Sequence, residues 1–359
     1  MTNVLLVIFL LFAGTNAFAA DYVQLRHEGV AEYEKGHFTQ AETLIRKSLD
    51  WALATKDDYT IALNYSTLGD LNQAQSQFPE AEASYRKAIF IISKKPENYR
   101  ALAVLRRNLA SALTSQSRYD DASNALNEGR KVLTDHKIQD SQLAAELLNT
   151  SGVIQFYQGK LNKAESSFLR AAAEIRDSPV TLQQPDIGEV LNNLGYVYQA
   201  KGKLEKAEGA YKQSLQVREA RFGSSHFRLT SPLTNLGVLY TDTGHYKEAE
   251  QSFQRSLSIL EQEEARFTQA TIMHTLYGLA RLYIRENDEK RADVPLARAA
   301  AIARGLQTPG EVAATLEILE TYSRVLAHLS NQQESQRVQT EARRIRATMA
   351  FTVSAPKER

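Results

Sequence analysis

Asn192-Asn193-Leu194-Gly195-Tyr196-Val197-Tyr198, with Gly202, Ala207, Tyr211 and Ser214 behind it, is answered 42 residues later by Thr234-Asn235-Leu236-Gly237-Val238-Leu239-Tyr240, with Gly244, Ala249, Phe253 and Ser256. Self-similarity at such a period marks a chain built from stacked supersecondary units. Sliding the pattern in both directions places a small residue at the head of each unit: Gly29, Gly69, Ala110, Gly152, Gly195, Gly237, Ala280 and Ser323, spaced by 40 to 43 residues. Twelve residues after each come Ala41, Ala81, Ala122, Ala164, Ala207, Ala249, Ala292 and Ser335, and seven further on Ser48, Ala88, Gly129, Ala171, Ser214, Ser256, Ala299 and Ala342. All 24 positions are Gly, Ala or Ser. Two antiparallel helices approach closely only where one lacks a bulky side chain at the crossing, so the pattern predicts eight helix-turn-helix units.

Between the first and second small positions stand Gly36, Ser76, Ser117, Gly159, Gly202, Gly244, Asn287 and Ser330, types that end one helix and allow the next to begin. Two residues on, Phe38, Phe78, Tyr119, Leu161, Leu204 and Tyr246 supply an apolar plug, and Ile45, Tyr85, Leu126, Phe168, Tyr211, Phe253 and Leu296 mark the core face of the second helix. Units seven and eight lose the plug, with Glu289 and Gln332 there, and Gln339 takes the core-face place of unit eight. Polar replacement at the end of an array reads as a cap, since the last unit has no neighbour over its outer face. Pro295 falls early in the second helix of unit seven, which predicts a late start capped by Asp293 and a longer loop over Arg285–Arg291.

This spacing of small and aromatic residues closely resembles the tetratricopeptide repeat, over about residues 22 to 350. The long period, and Glu after the second-helix alanine (Ala164-Glu165, Ala207-Glu208, Ala249-Glu250), resemble the kinesin-light-chain-like subclass. The connector Arg218 to His226 is similar to that subclass's linker, except that Phe227 stands where its proline is usual. The resemblance implies an all-α, right-handed α-solenoid whose first helices line a concave groove. Repeats are drawn near 22–61, 62–102, 103–144, 145–187, 188–229, 230–272, 273–315 and 316–353, within a solenoid of residues 20–353, with 354–359 as a disordered tail.

Residues 1–19 read as a signal peptide: no charged side chain, an apolar run from Val4 to Ala13, and Ala17-Phe18-Ala19 before the cut. The run is too short for a bilayer-spanning helix of about 20 residues. This predicts an extracytoplasmic protein, periplasmic or secreted, tethered to a membrane only if the segment is retained. With no cysteine there are no disulfides, thiol nucleophiles or thiolate metal sites. Forty-three Lys and Arg against 42 Asp and Glu leave no field to draw the chain onto nucleic acid.

No metal-ligand, phosphate-loop or nucleophile motif is present, and the seven histidines are scattered. The sequence therefore predicts a non-enzymatic chain without cofactor or metal, whose partner is another protein or a peptide segment. First-helix residues facing away from the packing include Arg107, Asn108, Asn149, Tyr157, Asn192, Asn193, Tyr196, Gln199, Asn235 and Tyr277, with Phe156, Val238, Arg281 and Arg285 beside them. An Asn amide donates to a backbone carbonyl and accepts from a backbone N–H at once, so Asn at one-repeat spacing suits an extended peptide. Tyrosines add rigid contact area. Asn108, Asn193 and Asn235 match the position that tetratricopeptide grooves commonly use, which centres the expected clamp on units three to six. The same amides would alternatively satisfy one another between units. The competing function is a structural assembly subunit of an envelope complex, acting through its convex face or its ends.

Overall fold

The structure, a computed structural model, describes residues 22–35, 37–94, 98–176, 186–262, 268–306 and 309–354. The signal segment at 1–19, Gly36 and the tail beyond Ser354 lie outside the described residues. Among those described there are sixteen α-helices and no strand. They are α1 (22–34), α2 (Phe38–Thr55), α3 (Asp58–Ala74), α4 (Phe78–Ile92), α5 (Tyr99–Ser115), α6 (Tyr119–Asp135), α7 (Ser141–Tyr157) and α8 (Leu161–Arg176). They continue with α9 (Ile187–Ala200), α10 (Leu204–Phe222), α11 (Thr230–Thr243), α12 (Tyr246–Gln262), α13 (Thr268–Arg285), α14 (Glu289–Gly305), α15 (Pro309–His328) and α16 (Gln332–Ser354).

The chain forms two compact units, Met1–Ile154 and Gln155–Arg359. Within the first, α3 packs on α4 and α5 on α6, and each pair docks on the next through α2 with α3 and α4 with α5. Within the second, α9 and α10, α11 and α12, α13 and α14, and α15 and α16 pair in the same way.

Every one of the 24 small positions is buried. The head glycines make room for one side chain, the core-face residue of the second helix in the same repeat. A Cβ added to Gly69 would lie 2.5 Å from the Tyr85 ring, one on Gly195 2.5 Å from Tyr211 Cδ1, and one on Gly237 2.7 Å from Phe253. Repeat eight solves the crossing differently. Gln339 is exposed and Val338 is buried in its stead, while Ser323 and Ser335 exchange hydroxyl-to-carbonyl hydrogen bonds of 3.0 and 2.7 Å across the pair.

The turns share one design. Ser76, Ser117, Gly159, Gly202, Gly244, Asn287 and Ser330 all hold positive φ, between 59° and 80°. The next residue donates its N–H back to the carbonyl five residues earlier, as Gln77 to Asn72 at 2.8 Å and His245 to Tyr240 at 2.8 Å, which satisfies carbonyls the first helix leaves open. That same residue is the N-cap of the second helix, so the plug residue opens each second helix without exception. The plugs themselves are shallow: Phe38 is buried, but Leu204 is 37% exposed.

Two expectations need correction. Asp288, not Asp293, caps α14 by accepting from Arg291 N at 3.2 Å, so the turn after α13 is no longer than its counterparts. Pro295 lies inside α14. It forgoes one amide hydrogen bond, and the helix continues because Pro295, Leu296, Ala299 and Ala303 are all buried. First helices also start ahead of several repeat boundaries drawn from the small-residue register: α15 begins at Pro309 rather than near 316, and α3 at Asp58, where Asp57 accepts from Thr60 N.

After α10, Gly223 at φ 87° breaks the helix and a 3-10 turn at Phe227–Leu229 leads into α11. Phe227 stacks on His226 and His226 on Phe222, with centroids 4.6 and 4.7 Å apart. Burial first, then the nearby Arg228 charge, depress the His226 imidazole below its ordinary value. Its Nδ1 accepts from Arg228 N at 3.2 Å, as a neutral ring must.

Candidate functional site

Residues three before and one after each head position lie on one face of the first helix. In Met1–Ile154 charges run along the first helices. Arg26, Asp70 and Arg107 stand at these places on α1, α3 and α5, and Glu146 follows on α7 one turn before its counterpart position, with alternating sign. Arg107 pairs with Glu146 and donates twice to Asn108 Oδ1, at 3.1 and 2.7 Å. Asn108 Nδ2 donates to Asp70 Oδ1 at 3.1 Å, and the Tyr85 hydroxyl donates to the same oxygen at 2.7 Å. Both ends of the Asn108 amide are therefore engaged within the protein.

In Gln155–Arg359 repeats five and six carry neutral groups at these places, while repeats seven and eight bring Arg281, Glu320 and Arg324. The Tyr196 hydroxyl donates to Asn235 Oδ1 at 2.8 Å, and Asn235 Nδ2 donates to Asn192 Oδ1 at 2.8 Å. Asn192 and Asn235 are only 6% and 7% exposed, so this pair braces α9 against α11. Burial raises the Tyr196 phenol above its ordinary value and keeps it a donor. Gln199 Oε1 accepts from Tyr211 at 2.9 Å, and the Tyr277 hydroxyl donates to Glu317 Oε1 at 2.9 Å.

Over these helices lies an open trough. One cavity of ≈ 640 Å³ runs along α9, α11 and α13, lined among others by Phe156, Tyr196, Gln199, Asn235, Val238 and Tyr277. A second, of ≈ 520 Å³, continues along α13 and α15 between Arg281, Arg285, Glu317 and Arg324. Tyr277 and Arg281 line both, which makes them one continuous surface. Of the sequence-selected residues, Tyr196, Gln199, Asn235 and Tyr277 meet in this trough. Asn192 lies beneath it, bonded to Asn235. Asn193 is half-buried on α9, and Tyr157 is 58% exposed with its ring edge-on to Phe156 at 5.6 Å. Arg107 and Asn108 belong to the ionic line, and Asn149 is half-buried on α7.

The trough extends into repeats seven and eight, which the sequence reads as a cap. Glu317, Thr321 and Arg324 were legible only through register, since Thr321 stands at the same distance before Ser323 as Asn235 before Gly237. Asp186 and Arg218 carry no such signal. Asp186 accepts from Gly188 N at 3.0 Å, capping α9, and from Arg218 Nε and Nη2 at 3.0 and 2.9 Å. Arg218 Nη1 donates to the Arg228 carbonyl at 2.7 Å, which ties α9 and α10 to the turn before α11.

Residues 186–262, covering α9 to α12, match the tetratricopeptide repeat family. The chain is an all-α solenoid of tetratricopeptide-like helix pairs. The match falls on the two units with the strongest internal echo. Solved tetratricopeptide-like structures share the fold. A Rap protein complexed with Competence and Sporulation Factor is 13% identical, with a TM-score of 0.61 over 92% of this chain and 99% of that one. BtubC (BKLC) from P. vanneervenii is 21% identical, with a TM-score of 0.52 over 65% of this chain and 91% of its own. A signal transduction ATPase with numerous domains and a tetratricopeptide repeat sensor, from Pyrococcus horikoshii, is 15% identical, with a TM-score of 0.56 over 89% of this chain and 53% of that chain. No curated protein matches the sequence.

Proposed function

We propose that this tetratricopeptide array is a non-enzymatic scaffold that holds an extended segment of a partner protein along the first helices of Gln155–Arg359. The observation that carries this reading is the continuity of the trough through Tyr277 and Arg281. A cleft of ligand-site size with apolar walls and a few convergent polar groups is the usual form of a binding site. The buried Asn192–Asn235 pair braces the floor, while Phe156, Val238, Tyr196 and Tyr277 offer the contact surface. One solved neighbour of this fold was captured with a bound factor, which supports the reading without fixing the ligand here. The N-terminal sequence supports an extracytoplasmic setting, periplasmic or secreted.

The alternative, an envelope assembly subunit working through the outer face, has its own surface. Leu169, 48% exposed, lies with Asn162, Glu165 and Arg170 along a hollow of ≈ 380 Å³ on α8. A photo-crosslinking amino acid placed at Val238 or Tyr277, or at Leu169, in the native host separates the two. Adducts from Val238 and Tyr277 support the trough. Adducts from Leu169 alone overturn it in favour of the assembly subunit.

A further inference from the structure

We propose that the segment held in the trough of Gln155–Arg359 carries a cluster of acidic side chains at its α13–α15 end, which rests on the trough being the binding surface. The two ends of the trough differ in chemistry. Toward α9 and α11 its walls include Phe156, Tyr196, Asn235 and Val238, none of them charged. Over α13 and α15 the hollow of ≈ 520 Å³ brings Arg281, Arg285 and Arg324 against Glu317 and Glu320. The repeat register carries the change: one residue after the head stand Tyr196 and Val238 in repeats five and six, but Arg281 and Arg324 in repeats seven and eight. Arg285 follows Arg281 by one helical turn, on the same face.

The carboxylates at this end are committed within the protein, and the guanidinium groups largely are not. Glu320 pairs with Arg346, and Glu317 Oε1 accepts from the Tyr277 hydroxyl at 2.9 Å. Arg281 stands 3.9 Å from Asp242, at the limit of an ion pair and with both side chains well exposed. Arg285 and Arg324, both exposed, form no ion pair and no side-chain hydrogen bond among the described residues. A guanidinium fork meets a carboxylate with two parallel hydrogen bonds and gives up less hydration than an ammonium in doing so. Three forks on two helices exceed what one chain-terminal carboxylate can answer, so a short run of Asp or Glu within a segment is the better match. A phosphate or a lipid headgroup would engage the arginines and leave the uncharged wall at Phe156 and Val238 uncovered; a linear peptide covers both. Neighbouring helices lie about 9 Å apart, so the path from α9 to α15 is about 27 Å, which roughly eight extended residues span. The occupant is a segment of that length, apolar or aromatic over α9 and α11 and acidic over α13 and α15.

The test is selection from a random octapeptide library displayed on phage against the immobilised whole chain, followed by titration of the selected peptides, synthesised with blocked termini. Sequences with Asp or Glu clustered at one end and apolar or aromatic residues at the other should be enriched, and blocking the termini should leave their affinity unchanged. Arg281→Gln, Arg285→Gln and Arg324→Gln together should weaken such a peptide by about tenfold or more at low salt and by much less at high salt. Glu317→Gln keeps an acceptor for Tyr277 while removing a competing charge, so it should tighten the same peptide by about threefold, which tests the charge independently of the arginine variant. Val238→Trp fills the trough without changing its charge and reports on the trough itself. Selected peptides that lose affinity in Val238→Trp but show no acidic cluster, or that bind the triple arginine variant as well as the parent, overturn the acidic end and leave the trough reading standing. Peptides that bind Val238→Trp unimpaired, or a selection that enriches nothing, remove the trough reading and the acidic end with it. Displacement by inorganic phosphate beyond that by sodium chloride at equal ionic strength overturns the acidic peptide in favour of a phosphate-bearing ligand.

Discussion

The first-helix face of repeats one to three carries charges that are engaged with neighbouring groups, whereas that of repeats five and six carries neutral hydrogen-bonding groups. Three residues before the head of the repeat stand Arg26 and Arg107 in the former, but Asn192 and Thr234 in the latter. One residue after it stand Asp70 and Tyr196. Ions of alternating sign close on each other through Glu146, Arg107, Asn108 and Asp70, which consumes the groups a ligand would use. Amides and phenols bond pairwise and leave a trough of ≈ 640 Å³ above them. One backbone thus supports either a self-satisfied spine or a surface open to a partner, and the partners that adjoining helices bring to each side chain decide which.

The largest effect expected from a substitution is at Arg218. Arg218→Ala leaves the largely buried Asp186 side chain only its bond from Gly188 N and a longer, 3.4 Å pair with Arg228, and removing one partner of such a pair costs about 3 kcal/mol. Arg107→Ala in the ionic line, whose pair with Glu146 is partly solvated, should cost clearly less in the same urea titration. Equal losses would erase the distinction between locked and partly solvated charge.

Gly69→Ala and Gly195→Ala test what the two units share. In each the new methyl meets a tyrosine ring within 2.5 Å, so each should lose about 2 kcal/mol despite alanine's better helix propensity. A loss confined to one unit would mean that the crossings are not equivalent.

Asn235→Ala leaves Asn192 Oδ1 without its donor and the Tyr196 hydroxyl without its acceptor, at a cost of about 1–2 kcal/mol. That loss should be the same in low and high salt, whereas the loss in Arg107→Ala should shrink as salt rises. Salt titration of both variants measures how ionic each line is.

The smallest change concerns the turns. Ser76 and Ser117 hold positive φ in Met1–Ile154, where Gly159, Gly202 and Gly244 do so in Gln155–Arg359. Ser117→Gly should raise the unfolding free energy, read by urea titration, by up to about 1 kcal/mol, by relieving left-handed strain. No gain there would show that the turn hydrogen bonds already offset it.

The repeat was legible in the sequence because close helix crossings tolerate few residue types. Gly29 to Ala342 stay in register across eight units, and every small position is buried where the spacing predicts. The turn residues were legible for a related reason, since only short or flexible side chains enter left-handed backbone readily. Pro295 misled because a single residue's preference yields to the packing of a whole helix face. The trough was half legible: Tyr196, Asn235 and Tyr277 followed from helical period, but their partners did not. Whether Asn108 and Asn235 face a ligand or a neighbour depends on what the adjoining helix brings, and that comes from residues about 40 positions away. Sequence by itself determined the helices, their pairing and the turns, because those rest on local geometry and period. Only tertiary structure decided which polar groups are spent internally and which line an open surface, because that balance is struck across helices where each buried donor must find an acceptor.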